Sequence, residues 1–190
     1  NYTSALTADH VFFNSEYHLG AFLTELPSFL KAFPDHNNLE TVEDIRKKSS
    51  VLPLALDLKK FDKHKPIKFE KPKRAVILWN HRWEYDKNPE QFFNALFELD
   101  EHGIDFSLVV LGESYEKHPA MFAIAKTKLA DKILHFGYAE NFDEYAKWLW
   151  QADMLPVTSI QDFCGASIIE AMYCNVVPLL PERLAYPEHI

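Results

Sequence analysis

The stretch that most constrains this chain runs from Pro156 to Glu188 and centres on Asp162-Phe163-Cys164-Gly165-Ala166-Ser167-Ile168-Ile169-Glu170-Ala171-Met172. An apolar run, Met154 to Val157, precedes it, and another, Val176 to Leu180, follows. A helix with one glycine near its start is therefore expected between two buried strands. A helix that opens near Gly165 leaves the N–H groups of Gly165, Ala166 and Ser167 without intrahelical partners, and an anion is the favoured occupant in front of them. Asp162 falls in the loop before that N-terminus, and Glu170, eight positions on, falls in the second turn. Carboxylates accept hydrogen bonds from sugar hydroxyls, while the amides take phosphate. The arrangement suits a ligand with a charged middle and hydroxyl-bearing ends, the pattern of a nucleotide sugar.

With 190 residues, 47% of them apolar, the chain can bury one full core, or one core and part of a second. A net charge of −8 argues against broad, non-specific nucleic-acid binding. Arg46-Lys47-Lys48 and the run from Lys59 to Lys73 are the local basic stretches, and both read as solvated surface. No apolar run approaches the roughly 20 residues that a bilayer requires, so a membrane span is not expected, and no signal peptide is read at the N-terminus. Cys164 and Cys174 are the only cysteines, and their spacing fits neither a disulfide framework nor a zinc site. A reducing cytoplasm is the simplest compartment for such a chain.

Taken in order, Ala8 to Ser15 reads as a strand entering a helix capped by Ser15, and that helix carries Leu19, Phe22, Leu23, Leu26, Phe29, Leu30 and Phe33 across Pro27. Asp35 to Leu39 reads as a polar turn, Val42 to Lys48 as a short helix, and Val51 to Asp57 as an edge strand with one proline. One strand and one or two helices cannot enclose a core, so residues 1–58 are expected to be the tail of a larger domain, and 59–73 a linker. From Arg74 strand and helix alternate: Ala75 to Trp79, Pro89 to Glu101, Phe106 to Leu111, Pro119 to Ala130, Ile133 to Phe136, Phe142 to Trp150, Met154 to Val157, Gly165 to Cys174 and Val176 to Leu180. That alternation predicts an α/β domain over 74–190, a Rossmann-like doubly wound parallel sheet with helices on both faces. Ligands in such sheets sit outside the carboxyl ends of the strands, at the loops Asn80 to Asn88, Gly112 to Lys117, Gly137 to Asn141 and Ser159 to Gly165.

The first of these loops, Asn80-His81-Arg82-Trp83-Glu84-Tyr85-Asp86-Lys87-Asn88-Pro89, is the second informative stretch. Asn88 before Pro89, with Gln91 beyond, reads as a helix start and puts Arg82 and Lys87 at the mouth of the sheet, two cations facing the anion site. Each residue has a plainer alternative. Arg82 and Lys87 are also what a charged surface carries, Asp162 is also a helix cap, and Glu170 is also the polar face of an amphipathic helix.

The carboxylate pair around Phe-x-Gly, ending in Glu-Ala-Met, resembles the signature of retaining, nucleotide-sugar glycosyltransferases of the GT-B fold. Arg82 and Lys87 are similar to the Arg and Lys with which that family holds the donor diphosphate. The 80–89 string, Leu184-Ala185-Tyr186-Pro187-Glu188, and Phe12-Phe13-Asn14-Ser15-Glu16-Tyr17-His18 resemble its tRNA-queuosine mannosyltransferase branch and the bacterial relatives of that branch. The resemblance implies that residues 74–190 are the C-terminal, nucleotide-sugar domain of a GT-B enzyme, with most of the N-terminal acceptor domain and the closing C-terminal helices lying outside the chain and the fragment inactive alone. It further implies that Arg82 and Lys87 neutralise the diphosphate and that His81, Gly137, Cys164, Gly165 and Ala166 line the donor site. Glu170 would hold the ribose hydroxyls and Asp162 would face the transferred sugar. The implied reaction moves a hexose, mannose from GDP-mannose in its sharpest form, with queuosine in tRNA as acceptor through the missing domain. Asp162 stands where the family has Glu, and Asn175 where it has Gly; Asn tolerates the left-handed backbone that Gly would adopt there.

No Ser-His-Asp or Cys-His set is present, His10, His18, His81 and His135 form no ligand cluster, and no Asp-x-Asp occurs. Cations and amides can stabilise a leaving diphosphate without a metal, so neither cofactor nor metal is expected. Two other classes stay open: a non-catalytic nucleotide-sugar-binding module, and a dinucleotide oxidoreductase, which lacks its Gly-x-Gly-x-x-Gly here.

Overall fold

The computed structural model describes residues 1–34, 37–66, 74–113 and 119–190, and the chain divides into two compact units. The first comprises 1–55, 162–164 and 183–190; the second comprises 56–161 and 165–182. Of the expected segments, residues 35–36 of the polar turn, 67–73 of the linker and 114–117 of the second loop lie outside the described residues.

In the first unit the elements are α1 (Tyr2–Thr7), β1 (Val11–Phe13), α2 (Glu16–Lys31), α3 (Thr41–Lys47) and β2 (Ser49–Val51). β1 and β2 pair in parallel, with Val11 opposite Ser49. Ser15 caps α2 as expected, its hydroxyl accepting from the His18 amide at 3.0 Å. The helix runs through Pro27 because its apolar stripe, Leu23, Leu26 and Leu30, is buried against Ala5 and Ile45, and that burial outweighs the ~3 kcal/mol local cost of an interior proline. The edge strand expected at Val51 to Asp57 lies earlier, at Ser49–Val51. The ladder ends where the Leu52 amide donates to the Phe13 oxygen at 2.8 Å, and Pro53 beyond it has no N–H to continue. The basic cluster is only partly solvated surface: Arg46 and Lys47 are exposed, whereas the Lys48 ammonium donates to Leu6 O at 2.7 Å and Ala8 O at 2.6 Å at the end of α1. The Glu188 carboxylate closes the other end of the unit, accepting from the Glu16 and Tyr17 amides at 3.0 and 2.8 Å in the first turn of α2.

The second unit opens with a 3₁₀ helix, Leu58–His64. Although this segment carries the first residues of the expected linker, Phe61 is fully buried, its ring 4.9 Å from that of Phe142, and its carbonyl accepts from the Trp150 indole at 2.9 Å. β3 (Ala75–Asn80), α4 (Pro89–Glu101), β4 (Phe106–Leu111), α5 (Met121–Lys128), β5 (Ile133–Gly137), α6 (Phe142–Gln151), β6 (Met154–Pro156), α7 (Ala166–Tyr173) and β7 (Val177–Leu179) then alternate as the sequence predicts. The described strands form one parallel sheet in the order β5-β4-β3-β6-β7. Right-handed crossovers combined with this reversal of order put α4 and α5 on one face and α6 and α7 on the other. In keeping with that, α4 contacts α5 and α6 contacts α7. The core between sheet and first helix pair is aromatic, with Trp79 against Phe92, Phe93 and Phe122. The order reverses between β3 and β6, so the crevice at the carboxyl ends of those two strands is the place for a ligand.

Candidate functional site

The loop after β3 is held by its neighbours rather than by its own turns. Gly112, at the end of β4, has φ +126°, and a Cβ there would lie 2.0 Å from the His81 carbonyl oxygen, so only glycine permits this approach. Trp83 anchors the loop: its amide donates to Glu113 O at 3.0 Å, its indole to Leu111 O at 3.3 Å, and its ring stacks on Phe122 at 4.3 Å. With Trp83 buried, Arg82 beside it is left outward, half exposed and paired with Glu84 at 3.0 Å. Lys87 turns inward instead. Its ammonium donates to Gln161 O at 2.9 Å and pairs with Asp86 at 3.2 Å. Of the two cations expected at the anion site, Arg82 thus points outward to Glu84, while burial of the Lys87 stem brings its charge to the Gln161 carbonyl in the loop after β6 and to Asp86. Asn88 occupies the helix-cap position but in a left-handed conformation (φ 53°), and its side chain donates to Gln91 Oε1 at 2.8 Å instead of capping an amide.

The loops after β3 and β6 are laced together. The Thr158 hydroxyl donates to Lys87 O at 2.8 Å, and the Ile160 amide to Asp86 O at 2.8 Å. α7 joins them: Gly165 caps it with φ 68° and no side-chain cap, the Asn80 amide donates to Ser167 O at 2.8 Å, and His81 Nδ1 lies 3.3 Å from the Ser167 hydroxyl. His81, Gly165, Ala166 and the 81–88 loop therefore share one edge of the second unit, joined by the contacts of Asn80 and His81 with Ser167, which the sequence does not reveal. Asn175, at φ 65°, takes the left-handed conformation expected of it.

Glu170 is enclosed, with its side chain 17% exposed, so the solvated polar-face alternative does not hold. Its Oε2 accepts from the Tyr145 hydroxyl at 2.8 Å, and its Oε1 lies 3.7 Å from the Lys60 ammonium. Burial, and then the Glu170 charge, push the Tyr145 hydroxyl far above its ordinary range. Burial followed by the same carboxylate pushes the Cys174 thiol up to about 12. A cavity of about 310 Å³ opens beside them, lined by Asn80, Gly112, Tyr138, Glu140, Phe142 and Tyr145. Gly137, which precedes Tyr138, has φ +142° and open space where a Cβ would stand.

Asp162, Phe163 and Cys164 belong to the first unit. Asp162 Oδ1 accepts from the Cys164 amide at 3.2 Å, and its Oδ2 accepts from the buried Tyr186 hydroxyl at 3.4 Å. Phe163 stacks on His18 at 4.3 Å. The Cys164 thiol is raised by burial and by Asp162, and both cysteines are free thiols. Among the described residues no three His, Cys, Asp or Glu side chains gather as a metal site, and no helix is long and apolar enough to cross a membrane.

Residues 60–189 match the family described as glycosyl transferases group 1, and residues 1–56 match the tRNA-queuosine alpha-mannosyltransferase N-terminal region. The chain is similar to the tRNA-queuosine alpha-mannosyltransferase of Drosophila melanogaster, at 36% identity over 97% of this chain and 50% of that protein. Its fold is similar to that of a glycosyltransferase from Rickettsia africae, with TM-score 0.69 and 18% identity over 97% of this chain and 47% of that one. An alpha,alpha-trehalose-phosphate synthase from Burkholderia xenovorans aligns with TM-score 0.66 and 14% identity, over 96% of this chain and 48% of its own. The chain spans about half the length of these proteins.

Proposed function

Because this chain belongs to the glycosyl transferases group 1 family, we propose that it carries the nucleotide-sugar site of a retaining hexosyltransferase that moves mannose from GDP-mannose to queuosine in tRNA. The observation that carries the donor site is the lacing of the 80–88 loop to the β6 loop and to the first turn of α7, at the point where the strand order reverses. The Lys87 ammonium and the first amides of α7 meet there, with Arg82 on the same loop and Glu170 further along α7, the groups that a nucleoside diphosphate requires. Similarity of both units to the fly mannosyltransferase supports the acceptor and sugar.

In this reading Arg82 and Lys87 take the diphosphate charge, Arg82 exchanging Glu84 for phosphate and Lys87 supplying a positive charge at the loop junction. The first amides of α7 add hydrogen bonds to phosphate oxygens. Glu170 holds the ribose, and Asp162 faces the transferred sugar. As the anomeric C–O bond breaks, the electron pair leaves with the diphosphate, and fixed donors stabilise that charge without reorganising. The acceptor hydroxyl then forms the new bond from the same face, its proton passing to the departing diphosphate oxygen, and no enzyme nucleophile takes part. Neither metal nor cofactor is required.

The test is incubation of the full-length protein with GDP-mannose or UDP-glucose and queuosine-bearing tRNA, followed by nucleoside mass spectrometry. A hexose added to queuosine from GDP-mannose is the expected result. Donor binding without modification of any acceptor would instead identify a non-catalytic sensor.

A further inference from the structure

Glu170 has two oxygens in different company. Oε2 receives the Tyr145 hydroxyl at 2.8 Å, while Oε1 lies at a longer 3.7 Å from the Lys60 ammonium. A carboxylate offers about four lone-pair directions, and the last torsion of a Glu side chain is broad and weakly restrained by itself. One short bond to a rigid phenol removes that freedom.

Tyr145 is in turn restrained by its position on α6, where its ring lies 6.1 Å from Phe61 and 6.4 Å from Phe142. The Lys60 ammonium stands 4.6 Å over the Phe142 ring, so the 3₁₀ segment and α6 bring their groups to the same carboxylate. The proton of Tyr145 stays in place because burial disfavours the phenolate and Glu170 repels it. The hydroxyl is therefore a permanent donor to Oε2, and the ring lines the adjoining cavity.

We infer that Tyr145 is a positioning residue, whose hydroxyl holds Glu170 Oε2 and so leaves Oε1, beside Lys60, as the acceptor for the ribose hydroxyls of the bound nucleotide. The inference rests on the reading of Glu170 as the ribose carboxylate. It assigns Tyr145 a part in substrate recognition exerted through another side chain.

The experiment is calorimetry on the full-length protein with whichever of GDP and UDP binds wild type, and with its 2′,3′-dideoxy analogue. Wild type, Tyr145→Phe, Glu170→Gln and the double variant are compared. Tyr145→Phe should weaken the ribose-bearing nucleotide about 10-fold, the effect of one hydrogen bond to a charged group, and leave the dideoxy analogue unchanged. It should add nothing in the Glu170→Gln background, because it acts through that carboxylate. Unchanged dideoxy binding also shows that the variant keeps the folded site. Wild-type affinity of Tyr145→Phe for the full nucleotide overturns the inference, as does an equal loss on both ligands or a loss additive with Glu170→Gln, which would mean direct ligand contact or a packing role. If Glu170→Gln itself makes no distinction between the two ligands, the ribose reading fails first and takes the inference with it.

Discussion

The Asn80 side-chain amide donates to the Ser167 carbonyl oxygen at 2.8 Å, joining residues 87 positions apart. Asn80 is the last residue of β3 and Ser167 lies in the first turn of α7. This bond, with His81 beside the Ser167 hydroxyl, fastens the loop that carries Arg82 and Lys87 to the helix that carries Glu170. The site is thus a property of tertiary lacing more than of either loop.

Arg82 and Lys87 should separate in their effects. Arg82 is half exposed and pairs with Glu84 in the loop, so Arg82→Ala should leave the melting temperature within about a degree while reducing nucleoside diphosphate affinity about 10- to 150-fold. Lys87 is buried and holds Gln161 O, so Lys87→Ala should lower both affinity and melting temperature. Thermal denaturation in parallel with calorimetry checks the contrast; equal melting shifts would contradict it.

Gly112→Ala should destabilise the protein by about 3 kcal/mol or more, since the new Cβ meets the His81 carbonyl in a left-handed backbone. Gly103→Ala has φ +72° but open space, so it should cost only about 1 kcal/mol. Chemical denaturation measures both. Gly112→Ala should also weaken nucleotide binding by displacing the 81–84 loop, which Gly103→Ala should not.

The raised Cys174 thiol makes stability depend on pH in the alkaline range. A folded-state value of about 12, above that of the unfolded chain, means that its contribution is fully present below about pH 8.5 and is lost as pH rises toward 12. Melting temperature should therefore fall above pH 9, and Cys174→Ala should flatten part of that fall. Tyr145, raised by the same burial, steepens the slope from about pH 10. A Cys174→Ala profile that tracks wild type over the whole range would contradict this.

Transfer by the full-length enzyme should persist in EDTA, because Arg82, Lys87 and amides are assigned the diphosphate charge. Loss of turnover that manganese restores would show that the assignment is incomplete.

Much of the second unit was legible because its signals are local. β4 is apolar but for Ser107, Pro89 marks the first turn of α4, and the Gly165 region marks the start of α7. Ser15 was legible as a cap for the same reason. What was not legible depends on partners distant in sequence. The charged composition of 59–64 hid Phe61, one aromatic residue that docks the segment on α6 and brings Lys60 to Glu170. Tyr145 falls within the segment Phe142 to Trp150, and nothing near it in sequence marks it as the partner of a residue 25 positions away. The inward turn of Lys87 likewise depends on Gln161, 74 positions on. The strand lies at Ser49–Val51 and not among the apolar residues after it because Pro53 stops the ladder there.

The most direct test is calorimetry of GDP and UDP binding to full-length wild type, Arg82→Ala, Lys87→Ala, Glu170→Gln and Asp162→Asn, with donor turnover measured alongside. The account predicts that the first three variants lose nucleoside diphosphate affinity, by about 10- to 150-fold for the two cations. Asp162→Asn should bind nucleoside diphosphate nearly as wild type does and lose turnover of the sugar donor. Wild-type affinity in all four variants would show that these residues serve the fold alone and that the donor site lies elsewhere.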